Sequence, residues 1–414
     1  GNFIDAVLRS ASKEFKDSYE VFAYEPIATF NEEDAVKDYS SKKFDYLKTS
    51  KDIINEIGFG WNLGNTFDAT CGSEQNQGLT TETCWGNPKT SIAMLTTLIE
   101  NGIKAIRIPI SWHNHIIDDK YTIDPEWMYR VKTVVDWATD KGLYVIINTH
   151  HDQAGNTKGS IKYGSGYYPL WKDAAESEKY LYNVWKQITL AFNNGYDHHL
   201  IFEGLNEPRI AGLPNEWWYD PNDENCKEAA KVLNEYNRLI LKTIRDSKGN
   251  NNCRFVMSTA LAASYSSTSS DDFIIPNDFV DKSLLPENHA DTKRVIVSVH
   301  MYTPYDLVMN PDMNIATFTG AHAEELYVNF KTLYQKYVLK GYHVIIGEMG
   351  IVNKSNLAQR IKWAKYYISL CRQFQFAAII WDNGIWDNSE SAEETYGFFD
   401  RRNLKWVEPT LMKA

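Results

Sequence analysis

The chain has 414 residues, 43% of them hydrophobic, enough to bury the core of one large α/β barrel or of two ordinary domains. Its formal net charge of −11 repels phosphate backbones and anionic lipid, which argues against nucleic-acid and membrane partners. No stretch approaches the roughly 18 continuous apolar residues of a membrane span.

The first 50 residues are polar and charged and carry no turn-separated strands. They read as an N-terminal extension (residues 1–50), partly helical over VLRSASKEFKDSYEVF (7–22), that packs under the following domain or remains from a linker. TSKDIINEIG (49–58) has the marks of a short helix, with Thr49 or Ser50 as N-cap, early acids, and Gly58 just past the end. The sequence opens Gly1-Asn2 with neither a charged n-region nor an apolar run, so an exported protein would already have lost its leader.

Residues 51–414 read as one domain with a regular rhythm. Short β-branched or apolar runs recur at 58–65, 104–112, 143–152, 200–208, 254–260, 294–302, 343–350 and 376–384. Segments with helical spacing separate them, for example 125–142 and 360–374. Near-continuous apolar strands fit a parallel sheet covered on both faces. Eight of them alternating with helices predict a (β/α)8 TIM barrel. A doubly wound open sheet is the alternative, but neither a GxGxxG nor a Walker pattern follows an early strand.

Five cysteines (Cys71, Cys84, Cys226, Cys253 and Cys371) form no CxxC pair. Cys71 and Cys84 bracket a polar loop that a disulfide could close in an exported protein; otherwise all five are small reduced apolar residues. The 13 Trp and 25 Tyr also suit a surface that stacks on the C–H faces of sugars.

In such barrels the site is built at the C-terminal strand ends. Those positions hold Trp61, Asn62 and Asn65; Arg107 and Trp112; His150 and His151; Asn206 and Glu207; His300 and Tyr302; Glu348; and Trp381. Glu207 and Glu348 would face each other across the mouth. Two such carboxyls perform glycoside hydrolysis, with retention if about 5–5.5 Å apart and with inversion if about 6.5–9.5 Å apart. Arg107, if it reaches Glu348, keeps that carboxylate ionised, and Tyr302 could hold it through its phenol. Glu207 has no cation beside it in sequence, so its pKa is expected to be raised, as a general acid needs. Asn206 could donate to a sugar 2-hydroxyl. Pro208 ends the strand and restricts Glu207 to extended backbone.

Each residue also has an ordinary structural explanation. A lone strand-end Glu is usually just solvated, and Trp381 could be core. Trp217 and Trp218 are either subsite walls or loop packing. His150 and His151 could be a metal pair, yet strand one has no HxH and Asp382, after Trp381, reads as structural. No metal or other cofactor is expected.

The ordered set GWNLGNTFDA (60–69), ETCWGNP (82–88), IRIPISWHNHI (106–116), INTHHD (147–152), FEGLNEPR (202–209), VSVHMYTPY (297–305), IIGEMG (345–350) and IIWDNG (379–384) resembles glycoside hydrolase family 5, the retaining cellulase-type barrels. ETCWGNP together with WDNG is most similar to the endo-β-1,4-glucanase, lichenase and xyloglucanase subfamily. The resemblance covers roughly residues 51–410. It implies Glu207 as acid/base and Glu348 as nucleophile, with Arg107, His150, His151, Asn206, His300, Tyr302 and Trp381 as the supporting shell. It also implies a secreted, monomeric enzyme acting on plant cell-wall β-glucan, with or without further modules. Xyloglucanase or mixed-linkage glucanase is the nearest alternative. A β-mannanase, a metal-dependent barrel hydrolase and a non-catalytic carbohydrate-binding barrel stand further off.

Overall fold

The computed structural model describes residues 30–154, 166–290 and 292–414. The helix expected over 7–22 lies outside the described residues. Eight parallel strands close into a barrel in sequence order: β1 (Phe59–Asn62), β2 (Ala105–Ile108), β3 (Tyr144–Asn148), β4 (Leu200–Glu203), β5 (Val256–Thr259), β6 (Val295–His300), β7 (Val344–Met349) and β8 (Phe376–Ile380). Each lies inside one of the runs read from the sequence. The (β/α)8 expectation is met.

Helix α1 (Ser50–Ile57) precedes the barrel; Thr49 caps it in a reciprocal box with Asp52, and Gly58 closes it at φ 56°. Its Ile53, Ile54 and Ile57 join Ala105, Ile146, Ile201, Met257, Ile296, Ile345 and Ile379 in one buried cluster. These strand residues fill the lower interior, and α1 plugs that end. The outward-facing residues, such as Ile106, Val145, Phe202 and Val297, pack in a separate core with the helices. That core includes α2 (Ile92–Glu100), α3 (Pro125–Asp140), α4 (Ala174–Ala191), α5 (Glu224–Asp246), α6 (Gly320–Lys336) and α7 (Leu357–Phe374).

Residues 30–49 run along the plugged end. Lys42 N donates to Asn194 O at 2.6 Å, Phe44 is buried beside His198 and Arg254, and Arg294 donates to the carbonyls of Tyr46 and Lys48.

The pleat sets what lies above the plug. Two residues on from Ala105, Ile146, Ile201 and Ile296, the same inward face carries Arg107, Asn148, Glu203 and Ser298. The barrel interior thus changes from an apolar layer to a polar one, and the site rests on the polar layer. No described helix is long and apolar enough to cross a membrane.

Candidate active site

Arg107 organises the polar layer. It donates to Glu203 Oε1 (2.7 and 3.2 Å), Asn62 Oδ1 (2.9 Å), Asn206 Oδ1 (2.6 Å) and Glu348 Oε1 (2.9 Å). Arg107 and Glu203 are fully buried. Burial alone would disfavour the guanidinium's charge, but Glu203 and Glu348 outweigh it and hold the group protonated. Glu203 also accepts from Asn148 (2.9 Å) and Ser298 (3.0 Å), so the buried ion pair is fully hydrogen-bonded.

Glu348 ends β7. Strict alternation after Ile345 would aim it at the helices, but the β7–β8 register shifts between Ile346 and Met349, and the β6–β7 register between Val299 and His300. The irregularity turns Glu348 into the mouth opposite His300. Tyr302 donates to its second oxygen at 2.9 Å.

Glu207 is delivered differently from the expectation. Strand β4 ends at Glu203, and Pro208 does not terminate a ladder. Residues 204–207 form an arm pinned on both sides: Thr149 Oγ1 donates to Gly204 O (2.8 Å), Asn206 N to Thr149 O (3.0 Å), and Thr259 Oγ1 to Leu205 O (2.7 Å). Backbone and threonine hydroxyl bonds thus continue the ties to β3 and β5 past the end of the strand and fix the position of Glu207.

One oxygen of Glu207, one of Glu348 and a ring nitrogen of His300 lie within 4.8 Å of one another. His300 Nδ1 is 2.6 Å from Glu207 Oε1 and 3.6 Å from Glu348 Oε2. Burial opposes an imidazolium there, but the Glu348 charge and the Glu207 hydrogen bond outweigh it and raise the His300 pKa. Burial raises the Glu348 carboxyl, and the nearby Glu207 charge adds to this against the pull of His300 and Arg107. Burial also acts upward on Glu207, but the His300 hydrogen bond holds it below its ordinary value. The expectation of a raised Glu207 with no cation nearby is therefore corrected: His300, distant in sequence, supplies the charge. A proton on His300 Nδ1 and a proton on Glu207 Oε1 are two positions along one short hydrogen bond. The two groups titrate as a pair.

The other expected residues divide into two groups. His150 is buried, with Nδ1 3.1 Å from Asn148 Nδ2 and its ring stacked 5.9 Å from Trp381. Burial keeps it neutral, its pKa well below the ordinary value. His151 stands 4.5 Å from His150, partly open, and burial lowers its pKa to about 4. Trp381 lines the same side. Asn62 and Asn65 do not reach the mouth as free sugar ligands. Asn62 is fully buried and donates to Gly347 O at 2.9 Å. Asn65 takes a turn at φ 53°, its N–H on Asp68. Trp217 lies half-exposed under the Arg209 guanidinium at 3.9 Å, on the arm that follows Glu207. Glu203, Asn148 and Ser298 were not singled out from the sequence. A charged residue within the apolar run LIFEG was the available signal.

Asp68, His150 and His151 each offer a ligand atom within 4.8 Å. Asp68, however, already caps the Asn65–Thr66 turn. Asp382 is spent on structure: it accepts from Trp61 Nε1 (2.8 Å) and from the amides of Gly384, Phe398 and Phe399. Cys71 and Cys84 are joined as a disulfide; Cys226, Cys253 and Cys371 are free and buried.

A closed barrel with two near glutamates at its mouth, one held by Arg and Tyr and the other by His, defines a hydrolase of the carboxylate-pair class. The cellulase family, glycosyl hydrolase family 5, matches residues 67–387, and the chain belongs to that family. It is 38% identical over 370 residues to endoglucanase B of Clostridium cellulovorans, covering 88% of this chain and 75% of that one. With endoglucanase 1 of Ruminococcus albus it shares 37% over 380 residues, covering 89% and 81%. Similar solved structures include a broad-specificity endoglucanase of Ruminococcus champanellensis with bound cellotriose (TM-score 0.78, 33% identity, covering 90% of this chain and 99% of that one). Another is a family 5 lichenase from Caldicellulosiruptor sp. F32 (TM-score 0.79, 34% identity, covering 91% and 96%).

Proposed function

We infer that the protein is an endo-β-1,4-glucanase that hydrolyses its polysaccharide with retention. The observation that carries this reading is the spacing of Glu207 and Glu348. Oxygens within 4.8 Å suit direct attack by one carboxylate, the shorter of the two separations used in glycoside hydrolysis. In this reading Glu348, oriented by Arg107 and Tyr302, attacks the anomeric carbon. Glu207 gives its proton to the glycosidic oxygen, so the C–O bond breaks as the glycosyl-enzyme ester forms. Glu207, now a base, takes a proton from water, which adds to the anomeric carbon and releases Glu348. Asn206, anchored on Arg107, is set to donate to the sugar 2-hydroxyl, and Trp381 supplies an aromatic face.

The substrate is plant cell-wall β-glucan, with mixed-linkage glucan as a second preferred backbone; the lichenase among similar structures supports the latter. The Cys71–Cys84 disulfide supports export, since such bonds persist outside the reducing cytosol. A monomer, with or without attached modules, is the working state.

The test is reducing-end release from carboxymethylcellulose, mixed-linkage β-glucan, xyloglucan and mannan, with and without chelator. Cutting of glucans that survives chelation is expected, along with a loss of at least about a hundredfold in both Glu207→Gln and Glu348→Gln. Full activity in either variant, or loss on chelation, would overturn the assignment.

A further inference from the structure

We propose that Asp197, His198 and His199, in the turn that leads into β4, form a binding site for one divalent cation of the zinc class at the plugged end of the barrel. The proposed mechanism uses none of the three. One carboxylate oxygen of Asp197 and one ring nitrogen from each histidine lie within 4.8 Å of one another. Asp197 Oδ1 and His199 Nδ1 are 2.9 Å apart, the separation of two donors each about 2.1 Å from a shared ion and nearly at right angles around it. Two imidazoles and one carboxylate suit zinc and its first-row neighbours better than calcium or magnesium, which take oxygen ligands.

A hydrogen bond within the turn accounts for the Asp197–His199 contact on its own, since Asp197 Oδ1 also accepts from the His199 amide at 2.9 Å. It does not account for His198. That residue is only 9% exposed, and its Nδ1 is buried without a hydrogen-bond partner among the described residues. A buried polar atom left in this state calls for an explanation. Coordination through Nδ1 gives it a partner.

The turn that presents these donors is held from behind. Arg254, fully buried, donates to the carbonyls of Asn193 (2.9 Å), Tyr196 (2.8 Å), Asp197 (2.7 Å) and Leu200 (3.0 Å). The ordering cost of the backbone is therefore met before an ion arrives. An approach is open as well. The side chains of Asp197 and His199 are 27% and 28% exposed, and His199 lines an open cleft with Glu56, Leu143 and Tyr144. With three protein ligands and the Arg254 charge close by, affinity is expected to be roughly micromolar, weaker than that of closed four-ligand sites.

The bound ion would join three parts of the plugged end. His198 meets Phe44 of the segment 30–49 edge-on at 6.3 Å, and His199 lies 4.6 Å from Tyr144 of β3. Both histidines precede β4, whereas Glu207 follows it, so the ion acts on stability and leaves the reacting groups alone. Asp382 also lies at the far end, after β8. The ion therefore shifts wild type and Asp382→Ala alike and does not close the gap between them.

The experiment titrates Zn2+ into the chelator-treated, dialysed full chain by isothermal calorimetry and follows thermal unfolding alongside. One equivalent is expected to bind at this site, and the unfolding midpoint to rise by about 3 °C with zinc roughly a hundredfold above Kd. His199→Gln and His198→Gln should each weaken that binding at least about tenfold and lose the rise in midpoint. Both should keep the wild-type circular dichroism spectrum, so that the loss is one of ligands and not of folding. His199, partly exposed, is the deciding position. Zinc affinity unchanged in His199→Gln overturns the site and moves the ion to another donor cluster, such as Glu207, His300 and Glu348. No binding to the wild type overturns it outright.

Discussion

His300 Nδ1 lies 2.6 Å from Glu207 Oε1, and in the proposed mechanism this one hydrogen bond holds the proton that Glu207 delivers. The His300 pKa is raised above the ordinary imidazole value by the two glutamates, so the pair keeps its proton until the pH passes that raised value. Activity is therefore expected to fall on the basic side above pH 6.5. His300→Asn leaves Glu207 to hold the proton alone. The basic limb of kcat/KM against pH is expected to move down. An unmoved limb would mean that the proton resides elsewhere.

Tyr302 sets the acidic limb. Its phenol donates to Glu348 Oε2 at 2.9 Å and so favours the ionised carboxylate. Without that bond the Glu348 pKa rises further, and the nucleophile is protonated at a higher pH. Tyr302→Phe should raise the acidic limb and lower kcat about ten- to hundredfold, the value of one hydrogen bond to a charged group. A full pH–rate profile tests both effects.

Glu203→Gln should move the same limb the opposite way. Arg107 divides its charge between Glu203 and Glu348. Neutralising Glu203 leaves more of that charge to act on Glu348, which then stays ionised to lower pH. The variant also breaks a fully buried pair, so stability to urea should fall by about 3 kcal/mol. The combination separates Glu203 from a residue that merely packs.

The barrel was legible because apolar strand runs are a strong signal, and each observed strand falls within its expected run. The facing of Glu207 and Glu348 followed from strand order. Four features were not legible. Glu203 and Arg107 meet only through barrel closure, 96 residues apart in sequence. His300 reaches Glu207 across two strands, which reverses the expected direction of the Glu207 shift. Glu348 points inward because of a register shift, whereas alternation taken from Ile345 points it outward. Asn62, whose strand-end position suggested a sugar contact, is instead drawn beneath the site by Gly347 O and Arg107.

Asp382 should separate stability from chemistry. It is buried and accepts from Trp61 Nε1 and from three backbone amides, and Arg401 binds its carbonyl at 2.8 Å. Asp382→Ala strands the indole and the three amides, while the bond from Arg401 to the main-chain carbonyl remains. Thermal unfolding should shift downward in line with a loss of about 3 kcal/mol or more. Added zinc should restore neither stability nor activity, because the carboxylate is a hydrogen-bond acceptor here. Rescue by zinc would return Asp382 to the ligand role.

Gly347 sits between Glu203 of the polar layer and His300. A Cβ there would stand 3.2 Å from both Glu203 Oε2 and His300 Nε2. The space is short by only a few tenths of an ångström, but both neighbours are held by other bonds: Glu203 by Arg107, Asn148 and Ser298, and His300 by Glu207. Gly347→Ala must therefore push one of them. Overpacking of this kind costs about 1–3 kcal/mol. If His300 yields, its contact with Glu207 lengthens, kcat falls about tenfold, and the basic limb moves down as in His300→Asn. If Glu203 yields, the acidic limb moves down as in Glu203→Gln. His300 is the expected one to give way, because only its 2.6 Å bond to Glu207 and a long 3.5 Å contact from Arg107 hold it, against three partners for Glu203. The pH profile of the one variant distinguishes the two, and a profile identical to wild type at full kcat would show that the layer is less tightly packed than these contacts require.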